Sequence, residues 1–480
     1  MNWEVVIGLE IHAQMATKSK LMCNCDASFS SEPNTHVCPG CTGQPGMLPV
    51  VNKQVVDNAI MLGLATKCDI RKLNEFARKS YFYPDLPGGY QISQYDKPIC
   101  ENGKLEIEVN GNKRTIGITR IHMEEDAGKL VHAGSDNIKD ASYSLVDLNR
   151  ASVPLCEIVS EPDLRSAEEA IAYAQKIRQI VRYLGVCDGN MEEGSMRCDA
   201  NVSVRPKGQI KLGTKAEVKN LNSFKAIEKA INIEVERQID ILEDGGEIIQ
   251  ETRHYNEATN STKSMRSKED AHDYRYFPDP DLVPLLIDDD WILKVRNLLP
   301  ELPEEKKERY INSLSLSEYD ASIITTEKET ADFFEETISY GSKPKETVNW
   351  IMSEVLGTLN QNNLKLSETK LTPKLLAELL ILIDKNTISG KIAKTILPEI
   401  IKTGKNAEEI IKEKGLAQVS DQGELKKIVE TVIKENAKVV EDIKNGNPKA
   451  RGFLIGQIMK KSNGKANPGI TNELLNSLLN

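Results

Sequence analysis

The sequence changes its pattern at a proline-flanked segment, Leu299-Pro-Glu-Leu-Pro303, and this change limits the possible folds more than any other feature. Before it, short β-rich runs alternate with turn signals and a few helical stretches. After it, the chain is rich in Lys and Glu and has almost no strand signal. A second boundary is expected near 403–407, in Thr-Gly-Lys-Asn-Ala. The sequence therefore predicts an α+β protein with a mixed-sheet domain over 1–294, an all-α helical domain over 295–404 and a small all-α tail domain over 405–480.

Two helices are expected inside the first of these domains. One covers 166–184, where Ser166 and Glu169 form a possible capping box and apolar residues follow at helical spacing. The other begins near Ser223 and ends before Gly245-Gly246. Both are expected to serve packing.

Charge and hydropathy exclude two broad classes of protein. The 480 residues carry 62 Lys and Arg against 72 Asp and Glu, a formal net charge of −10. This balance argues against a protein that coats nucleic acid, because such binding requires many neutralised phosphates. Lysines in the last third would suit a local RNA contact or, equally, a solvated helix surface. No apolar run is long enough to span a membrane and no export signal is evident, so we expect a cytoplasmic protein with reduced thiols.

Two runs with period-two alternation each place several polar side chains on one face of a strand. In the run from Val5 to His12, the residues Glu10 and His12 share one face and the aliphatic residues share the other. Two residues along a strand span about 7 Å, so both side chains can reach one ion or one substrate group. In the run 199–205, Asp199 and Asn201 share a polar face in the same way. A sheet lining a wet cleft is expected.

Carboxylates are concentrated at His122-Met-Glu-Glu-Asp126 and again in Met191-Glu-Glu. Adjacent like charges repel, and Mg²⁺ would remove the difficulty because it prefers carboxylate oxygens and bridges phosphates to protein. A solvated acidic turn is the simpler interpretation of either cluster alone. On a strand, Glu124 and Glu125 would face opposite ways, so we expect them to play unequal roles, with Glu125 favoured as the metal ligand.

Four of the nine cysteines form two close pairs, Cys23-x-Cys25 and Cys38-x-x-Cys41. Two pairs across a loop are a typical way to supply four thiolates to a tetrahedral Zn²⁺. A zinc knuckle over about 21–45 is therefore predicted, and its closed ligand set would make it structural rather than catalytic. Unliganded or redox-active thiols remain the alternative.

The segment Arg78-Lys79-Ser-Tyr81-Phe82-Tyr83 combines two cations with three aromatic residues. In an RNA-handling protein, such cations bind phosphates and the aromatics stack on unpaired bases. We expect this of all of them except Phe82, for which a buried core position is favoured. The carboxylate clusters alone would equally support a metal-dependent phosphoesterase or nuclease. A non-catalytic RNA-binding scaffold built on the zinc knuckle is a third hypothesis.

A series of motifs, in order along essentially the whole chain, resembles the family of B subunits of the bacterial tRNA-dependent amidotransferase. The motifs are Gly8-Leu-Glu-Ile-His12, Arg78-Lys-Ser-Tyr-Phe-Tyr-Pro-Asp85, Tyr90-Gln-Ile-Ser-Gln94, His122-Met-Glu-Glu-Asp-Ala-Gly-Lys129, Val146-Asp-Leu-Asn-Arg150, Met191-Glu-Glu-Gly-Ser195, Arg197-Cys-Asp-Ala-Asn201, Asp273-Tyr-Arg-Tyr-Phe-Pro278 and Gly464-Lys-Ala-Asn-Pro468.

The resemblance implies a catalytic cradle, a helical domain and a tail that reaches the tRNA elbow. It also implies a heterotrimer with an amidase-type A subunit acting as glutaminase and a small C subunit. The implied reaction converts misacylated Glu-tRNA(Gln) or Asp-tRNA(Asn) to Gln-tRNA(Gln) or Asn-tRNA(Asn). ATP phosphorylates the side-chain carboxylate, and ammonia channelled from the partner displaces the phosphate.

Under this resemblance, the candidate residues take specific roles. Glu10, His12, Glu125 and Lys79 are expected to be catalytic. The expected Mg²⁺ ligands are Glu10, His12, Glu124 and Glu125, with Glu157, Glu193 and Asp199 as outer candidates. The expected nucleotide- or tRNA-binding residues are Arg78, Tyr81, Tyr83, Asn149, Asn201 and Lys465. Glu125 is also a candidate to pass or gate ammonia.

Overall fold

The computed structural model describes residues 2–30, 32–134, 141–267, 274–414, 416, 422–444, 448–462, 466 and 468–479. Tertiary contacts divide the chain into two units, Met1–Leu302 and Pro303–Asn480. Within the described ranges, no helix is both long and apolar enough to cross a membrane.

The first unit is built on a nine-stranded mixed sheet with three smaller sheets beside it. Its strands are β1 (Trp3–Gln14), β2 (Asp69–Ile70), β3 (Leu73–Asn74), β4 (Ala77–Ser80), β5 (Tyr90–Ser93), β6 (Cys100–Val109), β7 (Asn112–Glu125), β8 (Lys129–His132), β9 (Ser144–Asp147), β10 (Pro154–Ser160), β11 (Met196–Pro206), β12 (Ala216–Leu221), β13 (Glu251–Asn256), β14 (Ser261–Ser267), β15 (Phe277–Pro278) and β16 (Leu285–Leu286). The large sheet has the order β14-β13-β12-β11-β1-β10-β7-β6-β2, and its β12–β13 pair is parallel.

The central strand β1 explains how the sheet has one apolar and one polar face. Ile7, Leu9 and Ile11 alternate along β1 and are fully buried in the core of the unit. Helices α1 (Lys53–Ala65), α2 (Ala167–Tyr183) and α3 (Phe224–Glu243) cover this apolar side. The residues between them in sequence point to the opposite side, as the period-two pattern predicts.

The two helices expected in the first unit are confirmed. The Ser166 hydroxyl accepts from the Glu169 amide at the start of α2, and the Ser223 hydroxyl accepts from the Ala226 amide at the start of α3. The capping box at α2 is incomplete because the Glu169 carboxylate has other donors. It accepts from the Arg165 amide at 2.7 Å and from the Arg114 guanidinium at 2.9 Å. Helix α4 (Asp289–Arg296) also belongs to this unit, since Trp291 on α4 donates to Asp57 on α1.

The described part of the second unit is helical. Its helices are α5 (Pro303–Leu314), α6 (Glu318–Ile324), α7 (Lys328–Ser339), α8 (Pro344–Trp350), α9 (Leu356–Gln361), α10 (Pro373–Asp384), α11 (Gly390–Thr403), α12 (Ala407–Lys414), α13 (Gln422–Glu435), α14 (Ala437–Lys444), α15 (Pro448–Lys461) and α16 (Pro468–Leu479). Residues Ile351–Val355 form a π-helical turn between α8 and α9.

The helices enclose two separate apolar cores. One is made of buried side chains from 310–411 and the other of buried side chains from 425–475. The α+β class and the helical second half are therefore confirmed. The expected boundary at 294 falls inside α4, and the division of the second half at 404 stays a prediction.

Candidate functional site

Three adjacent strands bring carboxylates and imidazoles together on the polar face of the large sheet. His12 on β1 lies directly opposite Glu157 on β10, which in turn lies opposite His122 on β7. Nε2 of His12 lies 3.3 Å from Glu157 Oε2, 3.6 Å from Glu124 Oε1 and 3.8 Å from Glu10 Oε1. The cross-strand register therefore collects residues from segments that are far apart in sequence. We call Glu10, His12, His122, Glu124 and Glu157 the His12 cluster.

The carboxylates and imidazoles of the His12 cluster shift each other's pKa values. Burial alone would lower the pKa of His12, but Glu157, Glu124 and Glu10 outweigh it and raise the pKa to about 9. Burial, and then the charge of Glu157, raise the pKa of Glu10 to about 7. The pKa of Glu157 lies below its usual range because His122 and His12 outweigh the effect of burial. A cation placed here would satisfy the carboxylates and replace the proton on His12.

Two sets of three ligand atoms in this cluster lie close enough for one metal ion. Potential ligand atoms of Glu10, His12 and Glu157 are within 4.8 Å of one another, and so are those of His122, Glu124 and Glu157. Carboxylate oxygens suit Mg²⁺, and carboxylates together with imidazole suit a first-row transition metal. The donor set therefore fits a divalent cation, with Glu157 common to both arrangements.

A further carboxylate set adjoins the first through Glu10. Glu10, Asp199 on β11 and Glu217 on β12 meet the same 4.8 Å criterion. The ammonium of Lys219 lies 2.6 Å from Asp199 Oδ2 and 3.4 Å from Glu217 Oε1. Burial would lower the pKa of Lys219, but Asp199 and Glu217 outweigh it and hold the pKa above its usual range. A lysine cation thus already neutralises part of this second set.

Glu124 and Glu125 face opposite sides of β7, as expected, but the structure places Glu124 beside His12. The carboxylate of Glu125 accepts from the Ile92 amide at 3.1 Å and from the Ser152 hydroxyl at 2.6 Å. Burial raises its pKa. The preference for Glu125 over Glu124 as a metal ligand does not fit this placement, because the pairing of His122 with Glu157 decides which carboxylate faces β1.

Glu125 instead lines a cavity of about 350 Å³ next to the cysteine loop. The cavity walls include Cys38, Cys41, Ser152 and Arg78. The polar face of the sheet and this cavity therefore lie on either side of the last residues of β7.

Five tyrosines form a partly exposed aromatic platform beside the His12 cluster, because Tyr276 and the adjacent Lys79 both interact electrostatically with Glu124 and Glu157. They are Tyr81, Tyr83, Tyr95, Tyr274 and Tyr276. Tyr95 stacks on Tyr276 with ring centroids 4.3 Å apart, and the Lys79 ammonium lies 4.9 Å from the centroid of Tyr274. Burial would lower the pKa of Lys79, but Tyr276 and then Glu124 outweigh it and raise the pKa. Lys79 therefore stays cationic between the aromatic rings and the carboxylates.

Arg78 and Phe82 differ from expectation in their surroundings. The Arg78 guanidinium donates to Asp279 at 2.8 Å and to Asp281 at 2.6 Å, and it stacks 4.1 Å from the Tyr90 centroid. These two carboxylates already neutralise its charge. Phe82 is 77% exposed, so the buried core position that the sequence favours for it is wrong. The strand β4 ends at Ser80, so Phe82 is in a loop without a sheet to pack on.

Three other candidates do not belong to the His12 cluster, and a fourth lies outside the described residues. Glu193 is exposed in a turn, where its amide donates to Asn190. The Asn149 side chain accepts from the His36 amide and donates to the Glu32 carbonyl. Asn201 on β11 lies opposite Gly8, and its buried Oδ1 has no hydrogen-bond partner among the described residues. Lys465 lies outside the described residues.

The four predicted cysteines converge. The Cys41 sulfur lies 3.6 Å from that of Cys23, 3.8 Å from that of Cys38 and 3.9 Å from that of Cys25. A tetrahedron with Zn–S bonds of about 2.3 Å has edges of roughly 3.8 Å, so the spacing fits this ion. The hydrogen bond from Cys23 lowers the pKa of Cys41 to about 4.

The sequence pattern assigns no specific site role to several residues that the structure places here. Glu217 and Lys219 are two apart on β12, and period-two alternation could have found them. His122 shares its strand face with Glu124, but a single histidine carries little signal by itself. Tyr274 and Tyr276 are in a turn-rich segment whose approach to Tyr81 is a tertiary contact.

Two family profiles match the chain, and they define its class. Residues 5–293 match the GatB/GatE catalytic domain, and residues 332–479 match the GatB domain. The protein therefore belongs to the class of proteins that join a GatB/GatE catalytic domain to a GatB domain.

Relatives that match along the full length of the chain identify the particular family. The chain is 57% identical over 476 residues to the B subunit of the aspartyl/glutamyl-tRNA(Asn/Gln) amidotransferase of Geobacter sp. (strain M21), covering 99% of each chain. It is 56% identical over 480 residues to the protein of the same name from Geotalea uraniireducens (strain Rf4), covering both chains fully. The chain belongs to the family of aspartyl/glutamyl-tRNA(Asn/Gln) amidotransferase B subunits. The resemblance noted from the motifs is thereby confirmed, and neither the phosphoesterase nor the scaffold alternative is favoured.

Proposed function

We propose that this protein is a carbon–nitrogen ligase that converts Glu-tRNA(Gln), Asp-tRNA(Asn) or both to the amidated aminoacyl-tRNA, with ATP and glutamine as co-substrates. The observation that carries the proposal is the juxtaposition of the His12 cluster with the tyrosine platform. The platform offers faces for an unpaired 3′-terminal base, and the cluster offers ligands for a cation on the phosphates of ATP. Membership of the B-subunit family supports the same reaction.

The residues of the His12 cluster would hold Mg²⁺. When bound, Mg²⁺ neutralises charge on the transferring phosphoryl group of ATP. Glu10, His12, Glu124 and Glu157 would position it, and Asp199 with Glu217 offers a second, adjoining set of oxygen ligands. Lys79 would stay protonated and orient the carboxylate that receives the phosphoryl group.

The tyrosine platform would bind the aminoacylated end of the tRNA. The sequence predicts this role for Tyr81 and Tyr83, and Tyr274 and Tyr276 extend the same surface. Base stacking on tyrosine tolerates any sequence, which suits a terminal adenosine common to all tRNAs. Asn201 remains a candidate for a substrate hydrogen bond because its buried oxygen has no described partner.

The remaining assignments concern ammonia, zinc and partner proteins. Glu125 would line the route by which ammonia arrives, since it borders a cavity and not the His12 cluster. The four cysteines would hold Zn²⁺ as a structural ion, because a closed set of four thiolates leaves no open position. The family name indicates a multi-subunit enzyme, and we propose an amidase-type A subunit as glutaminase and a small C subunit, assembled in the cytoplasm.

A product assay tests the proposed reaction. The full chain, assembled with candidate A and C subunits, is given ATP, Mg²⁺, glutamine and each misacylated tRNA. Amidated aminoacyl-tRNA and ADP are the expected products, and ammonium salt should replace glutamine. His12→Ala should abolish product with either nitrogen donor, whereas Glu193→Gln, in an exposed turn, should keep it. Release of phosphate or cleaved tRNA without amidation by the wild-type assembly would overturn the proposal.

A further inference from the structure

Lys20 has an unusual position beside the four cysteines. It follows β1 in a loop, and its side chain is 0% exposed. Its ammonium donates to the Cys41 sulfur at 3.4 Å and to the Leu148 carbonyl oxygen at 3.3 Å. The ammonium of Lys20 has these two acceptors, and among the described residues it forms no ion pair with a carboxylate.

A fully buried ammonium requires an anion, because an isolated buried charge costs several kcal/mol. A carbonyl oxygen supplies only a dipole, so the anionic partner available to Lys20 is the sulfur of Cys41 as a thiolate. Four thiolates around one divalent cation carry a net charge of −2, and this charge is itself partly buried. The lysine and the loaded cysteine site therefore each supply what the other lacks.

We propose that Lys20 is the resident counter-cation of the four-cysteine site, strengthening the binding of a thiolate-coordinated divalent cation and orienting the Cys41 sulfur. This inference rests on the proposed zinc site and goes beyond it by assigning a residue outside the ligand set. Hydrogen bonds from residues around a metal site commonly contribute 10- to 100-fold to affinity.

The same lysine connects the cysteine site to the surroundings of Glu125. Its bond to Leu148 holds the start of the turn 148–152, and the Leu21 amide donates to the Ser152 carbonyl at 2.9 Å. The Ser152 hydroxyl then donates to Glu125. Loading of the cysteine site is thereby linked through two neighbouring residues to the turn that fixes Glu125.

Zinc affinity of the full chain tests the role of Lys20. Competition with a chromophoric chelator should show Zn²⁺ binding to Lys20→Met weakened by about 10- to 100-fold. Lys18→Met is the matched control, since Lys18 is exposed on the same loop, and it should bind as the wild type does. An affinity of Lys20→Met within twofold of the wild type would overturn the inference.

A second variant separates charge from packing and does not depend on the stability of Lys20→Met. Lys20→Arg keeps the positive charge and the donor but is larger, so a counter-cation role predicts affinity close to the wild type. A packing role predicts that Lys20→Arg is as impaired as Lys20→Met, and that result would contradict the inference. With Co²⁺ in place of Zn²⁺, the sulfur-to-metal absorption band should shift in Lys20→Met and not in Lys18→Met. If the wild-type chain itself bound neither ion, the zinc proposal would fail instead, which is a distinguishable result.

Discussion

Replacement of Glu124 and Glu125 by glutamine, one at a time, separates the two sides of β7. Glu124→Gln removes a buried carboxylate 3.6 Å from His12 Nε2, whereas Glu125→Gln changes a side chain held by Ile92 and Ser152. Both variants keep the size of the side chain. Glu124→Gln is expected to weaken Mg²⁺ binding strongly, and Glu125→Gln is expected to leave it within about twofold of the wild type.

The magnitude follows from the charge removed. A divalent cation and a carboxylate about 4 Å apart attract each other by about 8 kcal/mol at an effective dielectric constant of 20. Desolvation of the buried carboxylate offsets most of this, leaving roughly 2–3 kcal/mol. That corresponds to roughly 30- to 140-fold weaker Mg²⁺ binding for Glu124→Gln.

Calorimetric titration with Mg²⁺ measures the effect directly, and thermal unfolding of both variants serves as the control for folding. ATP consumption in the assembled enzyme should follow the same order, with Glu124→Gln far below Glu125→Gln. Equal loss of Mg²⁺ binding in the two variants would refute the reasoning, because it would mean that the ion lies on both sides of the strand. Unchanged Mg²⁺ binding in Glu124→Gln would refute it as well.

Three further outcomes are expected. Cys38→Ser should lower Tm by roughly 5–10 °C because about 2–3 kcal/mol of metal-linked stability is lost, and protein that remains folded should keep its turnover. Chelation of the metal from the wild-type protein should reproduce the shift in Tm. Loss of turnover without a fall in Tm would indicate a catalytic ion. Tyr276→Ala should weaken binding of aminoacyl-tRNA by roughly 5- to 150-fold, the equivalent of about 1–3 kcal/mol, measured by filter binding against the exposed control Tyr143→Ala; equal affinities would exclude the tyrosine platform from tRNA binding. Ile11→Ala should cost about 2–5 kcal/mol in urea unfolding because Ile11 is fully buried, and a loss below about 1 kcal/mol, similar to that of the half-exposed Val131→Ala, would contradict its place in the core.

Local patterns determine those parts of the site that depend on neighbours in sequence. The alternation around Glu10 and His12 predicts that they share a face, since a strand has a side-chain period of two. The same rule predicts opposite faces for Glu124 and Glu125. The spacing of Cys23, Cys25, Cys38 and Cys41 likewise predicts one ligand set, because a short loop can return each pair to the same point.

Local sequence patterns predict less where tertiary contacts decide whether a side chain is buried and which partners it has. Phe82 is apolar and close to the end of a strand, yet it is 77% exposed because no helix or strand among the described residues covers it. Arg78 has the charge expected of a phosphate ligand, but Asp279 and Asp281 neutralise it from a segment much later in the chain. Such partners cannot be identified from the residues around Arg78.

The family, the α+β class, the four-cysteine set and the polar face of β1 are all predictable from composition, from the order of motifs or from spacing within one segment. The position of Glu124 rather than Glu125 beside His12 is not, because it depends on the register of His122 against Glu157 across two strands. The burial of Lys20 against Cys41 likewise has no signal in the surrounding sequence. Register and burial are properties of the assembled sheet and loops, so they appear only when distant segments meet.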